Sequence, residues 1–157
     1  MSVHKKSDGS IWTIRPEIAA INGLKMETLY STLDIQVSEV GDDYIKATMP
    51  VVGKTHQFFG NLHGGASVVL AETLGSLASY FCLDQATQYC VGLEVNANHL
   101  RGKTNGVVTA TARPLHLGKR THVWDIPITD EQDRLVCIAR LTIAILDRSP
   151  EVPVNIF

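Results

Sequence analysis

Three cysteines (Cys82, Cys90 and Cys137) are too few, odd in number and without paired spacing, which excludes a disulfide-stapled secreted scaffold. They read as reduced thiols, Cys137 in the core, of a cytoplasmic protein. No uninterrupted apolar run approaches the roughly 18 residues of a membrane span. The opening MSVHKKSDGS lacks the apolar stretch of a signal peptide. Neither sign of charge is in excess: 14 basic and 16 acidic residues leave a formal net charge of −2, no electrostatic footprint for nucleic acid. Internal repeats and low-complexity tracts are missing as well. The patterns H-E-x-x-H, C-x-x-C and G-x-S-x-G do not occur, which argues against a metallohydrolase and against a serine nucleophile. No metal and no separate cofactor are expected.

What is present suits one compact domain. The chain has 157 residues, 45% of them hydrophobic, enough for one full core and too few for two. The globular part is expected from about residue 11 to 148. Residues 1–10 read as polar and frayed, and 149–157, with Pro150 and Pro153, as an extended tail. Pro16 opens a short helix with Ile18, Ile21 and Leu24 along one side and Gly23 near its end. Ile35 and Val37, then Ile45, Ala47 and Met49, alternate with polar residues as two strands around the turn Gly41-Asp42-Asp43. Four further strands are expected over 89–101, 106–116, 122–129 and 134–146. The last is almost continuously apolar, which predicts cover on both faces. Pro127 predicts an edge or a bulge. The order strand, strand, helix, four strands defines an α+β fold, an antiparallel sheet around one long helix.

That helix carries the chemistry. From Ala66 to Phe81 it holds one charge, Glu72, in sixteen positions. A helix apolar all round is a buried helix, and a buried carboxylate needs pairing, hydrogen bonding or protonation. The alternative is a Glu on the one solvated edge of that helix. Gly64-Gly65 begins the helix, where unpaired N–H groups stabilise negative charge and glycine lets a ligand approach. With Gln57 and His63 nearby, the set suggests acyl chemistry: donors hold a carbonyl oxygen while the carboxylate acts as base or nucleophile. Gly64 and Glu72 are eight residues apart, about 12 Å along a helix. Both cannot reach one carbonyl from a single chain, so two chains must pool residues.

The segment from Gln57 to Ser76, QFFGNLHGGASVVLAETLGS, resembles the signature of hotdog-fold acyl-CoA thioesterases. It is most similar to the bacterial group that hydrolyses 1,4-dihydroxy-2-naphthoyl-CoA in menaquinone synthesis, related to the Arthrobacter-type 4-hydroxybenzoyl-CoA thioesterases. The resemblance runs colinearly from about Leu33 to Asp147 and includes Val91–His99 and Pro114–Gly118. It implies a curved antiparallel sheet around the 64–81 helix, dimers with one continuous sheet, and dimers of dimers. By position it makes Glu72 the catalytic carboxylate, Gly64 the backbone donor to the thioester oxygen, Gln57 and His63 the groups that orient it, and Ser76 an aid to the attacking water. Gln57, His63 and Gly64 would act with Glu72 of a neighbouring chain. Gly92, the segment His99, Leu100, Arg101 and Gly102, and the segment His116, Leu117, Gly118, Lys119, Arg120 and Thr121 would contact the acyl-CoA, whose phosphates suit Arg101, Lys119 and Arg120.

Phe58 replaces the proline of the usual loop, which removes its rigidity, and Leu77 falls where relatives vary with acyl preference. His56 and His122 match nothing in the family pattern and read as surface or loop histidines. The spacing Gln…His-Gly-Gly…Glu fits hydrolysis better than the His–Glu/Asp sets of thioester hydratases. Glu72 argues against a non-catalytic acyl-CoA binding module. An acyl or aryl group on a carrier protein is an alternative substrate. No nucleic-acid or membrane partner is indicated.

Overall fold

The computed structural model describes residues 6–148. His4 and the 149–157 tail lie outside the described residues. Two short helices, α1 (Ile18–Asn22) and α2 (Leu29–Thr32), precede strands β1 (Gln36–Val40) and β2 (Ile45–Pro50). A 3-10 turn, Gly53–Thr55, and a loop lead into α3 (Gly64–Cys82). Strands β3 (Gln88–His99), β4 (Val107–Leu117), β5 (Thr121–Thr129) and β6 (Leu135–Asp147) complete the chain. They form one antiparallel sheet in the order β1-β2-β4-β5-β6-β3. This is the curved six-stranded sheet around one long helix that the sequence implies.

Alternation along the strands explains how the sheet closes on the helix. Ile45, Ala47 and Met49 of β2, Val108, Ala110 and Ala112 of β4, and Trp124, Ile126 and Ile128 of β5 are buried. Helix α3 turns Leu70, Ala71, Leu74, Gly75, Ala78 and Ser79 toward them. Small residues allow close approach: a Cβ on Gly75 would fall 2.5 Å from Leu141 Cδ2 and 3.0 Å from Ile126 Cδ1. Ser79 fixes the helix to β5, since Trp124 Nε1 donates to its Oγ at 2.7 Å. By length and composition α3 could cross a membrane; here it is the helix the sheet wraps.

Several expectations are corrected. Of the first ten residues, Lys6–Ser10 form a turn in which the Ser10 N–H donates to Asp8 Oδ1 at 2.9 Å and Ser10 itself is buried. Strand β6 is covered on one face only: Cys137, Ala139, Leu141, Ile143 and Ile145 are buried, while Ile138, Arg140 and Leu146 are exposed on the other. Pro127 lies on β5, an inner strand. It pairs with Ile138 of β6, the ladder to β4 is interrupted between Ala110↔Ile128 and Arg113↔Asp125, and the β5–β6 register shifts between Ile128 and Thr129, so the expected edge is not found while an irregularity does lie beside the proline. Helix α2 and the 3-10 turn are additions. His122 is not a surface histidine: it is 4% exposed, with Nδ1 3.2 Å from Ser79 Oγ. Burial pushes its imidazole down to about 4. His56 is half-buried, its Nε2 enclosed without a hydrogen-bond partner among the described residues.

Candidate active site

The start of α3 is organised by its own sequence. His63 is the N-cap, and its Nδ1 accepts from the Gly65 N–H at 2.8 Å. The His63 carbonyl accepts from Ala66 and Ser67. The Gly64 N–H enters no hydrogen bond among the described residues, so a helix-terminal donor is left open to a ligand. Just upstream, the Gly60 N–H donates to the Gln57 carbonyl at 3.0 Å, and Gly60 takes φ +80°, closing a tight turn. The Gln57 side-chain oxygen accepts from the Phe59 N–H, which leaves the amide NH₂ free to donate. These bonds close the loop around Phe58, and both Phe58 and Phe59 are exposed.

The 99–103 segment lies against this cluster. A Cβ on Gly64 would come 2.6 Å from His99 Nε2, and one on Gly102 2.8 Å from Asn61 Oδ1. The Leu62 N–H donates to the Lys103 carbonyl at 2.7 Å. Lys103 in turn forms an ion pair with Glu131 at 2.5 Å, and Glu131 also accepts from the Val107 N–H at 2.7 Å. Those donors hold the Glu131 carboxyl down to about 2. Gln57, His63, Gly64, His99 and Gly102 are therefore one neighbourhood, with Leu100 and Arg101 exposed beside it.

Glu72 stands two turns further along the same helix. Its side chain is exposed, so in one chain the carboxylate lies on the solvated edge of α3 and not in the core. It packs on strand β3: a Cβ on Gly92 would sit 2.9 Å from Glu72 Oε1. Immediately after Gly92 the register shifts, since Gly92 pairs with Ile143 and Glu94 with Thr142, leaving Leu93 as a bulge. A bare glycine beside a bulge gives the carboxylate its seat. Ser76, one turn on, is half-buried, and its carbonyl accepts from Cys90 Sγ at 3.8 Å.

Beyond Ser76 opens a cavity of about 490 Å³. One wall is α3, with Thr73, Ser76, Leu77 and Tyr80; the opposite wall is the N-terminal segment, with Ile21, Leu24, Met26 and Tyr30. Sequence reasoning placed Leu77 here but missed the N-terminal wall. Apolar residues on one side of α1 were the available signal. Burial pushes the Cys90 thiol at its edge up to about 11 and the Cys82 thiol up to about 12, so neither is a nucleophile at neutral pH.

The structure does not bring His116–Thr121 to this place within one chain. That hairpin, closed by Gly118 N–H to the Thr121 carbonyl at 2.9 Å, lies at the C-terminal end of α3. Gly118 and Lys119 line a second cavity of about 300 Å³ with Cys82 and Leu83. A 19-residue helix separates it from Gly64, about 28 Å at 1.5 Å per residue. Among the described residues, no three His, Cys, Asp or Glu side chains are grouped as a metal ion's ligands would be.

A curved antiparallel sheet wrapped around one long helix is the architecture of a hotdog fold. Residues 59–137 match the thioesterase superfamily, and the chain belongs to it. It is 50% identical over 136 residues to the 1,4-dihydroxy-2-naphthoyl-CoA hydrolase of Escherichia coli, covering 87% of this chain and 99% of that protein. It is 45% identical over 136 residues to the proofreading thioesterase EntH of Cronobacter turicensis, covering 87% and 98%. A solved thioesterase from Pseudomonas aeruginosa superposes with a TM-score of 0.87 at 50% identity, over 88% of this chain and 100% of that one.

Proposed function

We propose that this thioesterase hydrolyses aromatic acyl-CoA thioesters, of the naphthoyl class that its Escherichia coli relative is named for, to the free acid and coenzyme A. One observation carries the reading: on strand β3, Glu72 packs at Gly92 and Gly64 at His99. Strand β3 pairs only with β6 among the described residues, which leaves its other edge unpaired. A second copy added antiparallel to that edge, about a twofold axis midway between 92 and 99, sets Gly92 alongside His99 of the partner subunit. Glu72 then faces Gly64 of the partner subunit, and the 12 Å gap within one helix is bridged between chains. Two such dimers paired again make the expected tetramer.

In that site the thioester oxygen accepts from the open Gly64 N–H, with Gln57 and His63 beside it, as negative charge develops. Glu72 either attacks the carbonyl carbon, expelling the CoA thiolate and leaving a mixed anhydride that water then hydrolyses to the acid and free Glu72, or deprotonates the water that attacks, Ser76 helping to place that water; in both routes the proton released from the water ends on the departing CoA sulfur. The acyl group enters the cavity beyond Ser76. Arg101, Lys119 and Arg120 are the cations for the CoA phosphates, drawn from more than one chain. No metal or resident cofactor takes part, because the substrate carries its own coenzyme.

The test is Glu72→Gln, which should lower kcat by at least ~10²-fold with KM largely kept, as for loss of a positioned base. Full activity in that variant overturns the assignment. The EntH relative favours a second substrate, an aryl group on a carrier protein. A panel of naphthoyl-, benzoyl- and aliphatic CoA with a loaded carrier protein, ranked by kcat/KM, decides between them.

A further inference from the structure

The N-terminal wall of the acyl cavity lies outside the residues 59–137 that match the superfamily, yet it is built with care. Between α1 and α2 the chain runs as a strap, Leu24–Glu27, without regular secondary structure. Both ends are fastened. At one end, Asn22 makes a two-point bond to the edge strand: its Nδ2 donates to the Val37 carbonyl and its Oδ1 accepts from the Val37 N–H, both at 2.9 Å. Tyr30 Oη donates to the same Asn22 Oδ1 at 2.6 Å, tying α2 to α1. At the other end, the Met26 carbonyl accepts from Ser31 Oγ at 2.7 Å and from the Thr28 N–H at 3.1 Å. The strap is thereby held over the cavity at Leu24 and Met26, across from Leu77 and Tyr80 of α3.

Size fixes what this wall can sense. A single six-carbon ring, at about 30 Å³ per carbon-sized group, fills roughly 180 Å³, well under half of the cavity of about 490 Å³. Such a ring, attached to a carbonyl at Glu72, is accommodated near Ser76. Two fused rings, or a chain of about ten carbons, take roughly 300 Å³ on the same scale, more than half of the cavity, and so meet the strap wall as well as α3. Met26, 46% exposed, is an unbranched and polarizable side chain that adapts to either shape.

We propose that the strap is the specificity-determining wall of this enzyme, with Met26 and Leu24 as its contact residues and Asn22 as the residue that positions it. It selects apolar acyl groups larger than one ring and is indifferent to smaller ones. This inference rests on the reading of the Glu72 site given above. Short acyl groups reach the carboxylate without touching the strap, so changes in it alter discrimination and leave the chemistry intact.

The experiment measures kcat and KM for acetyl-, benzoyl-, naphthoyl- and decanoyl-CoA in the wild type and in Met26→Trp, Met26→Ala and Asn22→Ala. Met26→Trp fills the cavity from the strap side and should lower kcat/KM for the naphthoyl and decanoyl substrates by at least about tenfold, with acetyl and benzoyl within about twofold. Met26→Ala should weaken the two large substrates through KM alone. Asn22→Ala should do the same, since it loosens the wall while the carboxylate stays in place. Met26 is half in solvent, so its variants should fold, and thermal melting checks this. A loss shared equally by all four substrates, or none for the large ones, overturns the inference while the site reading stands. A wild type that hydrolyses none of the four overturns that reading, and this inference with it.

Discussion

The contact between Gly92 and Glu72 lets the placement of the carboxylate be perturbed without touching it. Gly92 is not among the positive-φ glycines, so alanine is free of backbone strain there. The new Cβ would sit 2.9 Å from Glu72 Oε1. An ordinary carbon–oxygen approach is about 3.3 Å or more, so the carboxylate must retreat by roughly 0.4 Å. It is the far end of a flexible, exposed side chain and can do so at little cost to the fold. Catalysis is less tolerant, since a 1 Å misplacement costs about 10²-fold and reactive groups must hold to about 0.5 Å. Gly92→Ala should therefore lose about tenfold in kcat, with the melting temperature within about 2 °C of wild type. Steady-state kinetics on a naphthoyl-CoA substrate and a thermal melt provide both numbers. Gly53→Ala, whose Cβ meets nothing within 4 Å, is the neutral control. Added to Glu72→Gln, the Gly92 change should cost nothing more, because both act through one group. Undiminished kcat in folded Gly92→Ala would refute the reasoning, as would an equal further loss in the double variant.

Two more outcomes concern acid. His122 binds its proton less readily in the folded chain, at about 4 against the ordinary 6.5, so its contribution is intact above 6.5 and fades as pH falls toward 4. By pH 5 this costs about 2 kcal/mol; urea unfolding at pH 7 and pH 5 should show it, and His122→Phe should flatten that difference. Glu131 is held down to about 2 from 4.5, so its clamp on Lys103 and Val107 is complete above 4.5 and is lost as pH drops toward 2. Glu131→Gln should remove part of the wild type's fall in melting temperature across that window.

Much of the fold was readable because period decides it. The alternation at Ile45, Ala47 and Met49 and the Ala-Leu-Val run of α3 gave their elements within a residue or two. His122 could have been found the same way, since it is in phase with the buried Trp124, Ile126 and Ile128. Polarity outweighed position in that reading. Strand β6 misled because Ile138, Ala144 and Leu146 are apolar on a face that a single chain leaves open. Helix α2 escaped because Leu29-Tyr30-Ser31-Thr32 has no strong helix former after its first residue and depends on Ser31 and Thr28 hydrogen-bonding locally. Glu72, Gly64, Gln57 and His63 were legible as a carboxylate and donors at a telling spacing, and the structure gathers the last three at the start of α3 with Glu72 two turns along it. The strap was not, because only packing shows that Leu24 and Met26 face Leu77.

The cap on α3 also decides the state of the ring that makes it. While His63 Nδ1 accepts from the Gly65 N–H, it cannot bear a hydrogen, so a neutral ring carries its single proton on Nε2. One tautomer is thus selected by the first turn of the helix. Ring orientation and helix start are therefore fixed by one hydrogen bond, and a substitution at His63 changes both together.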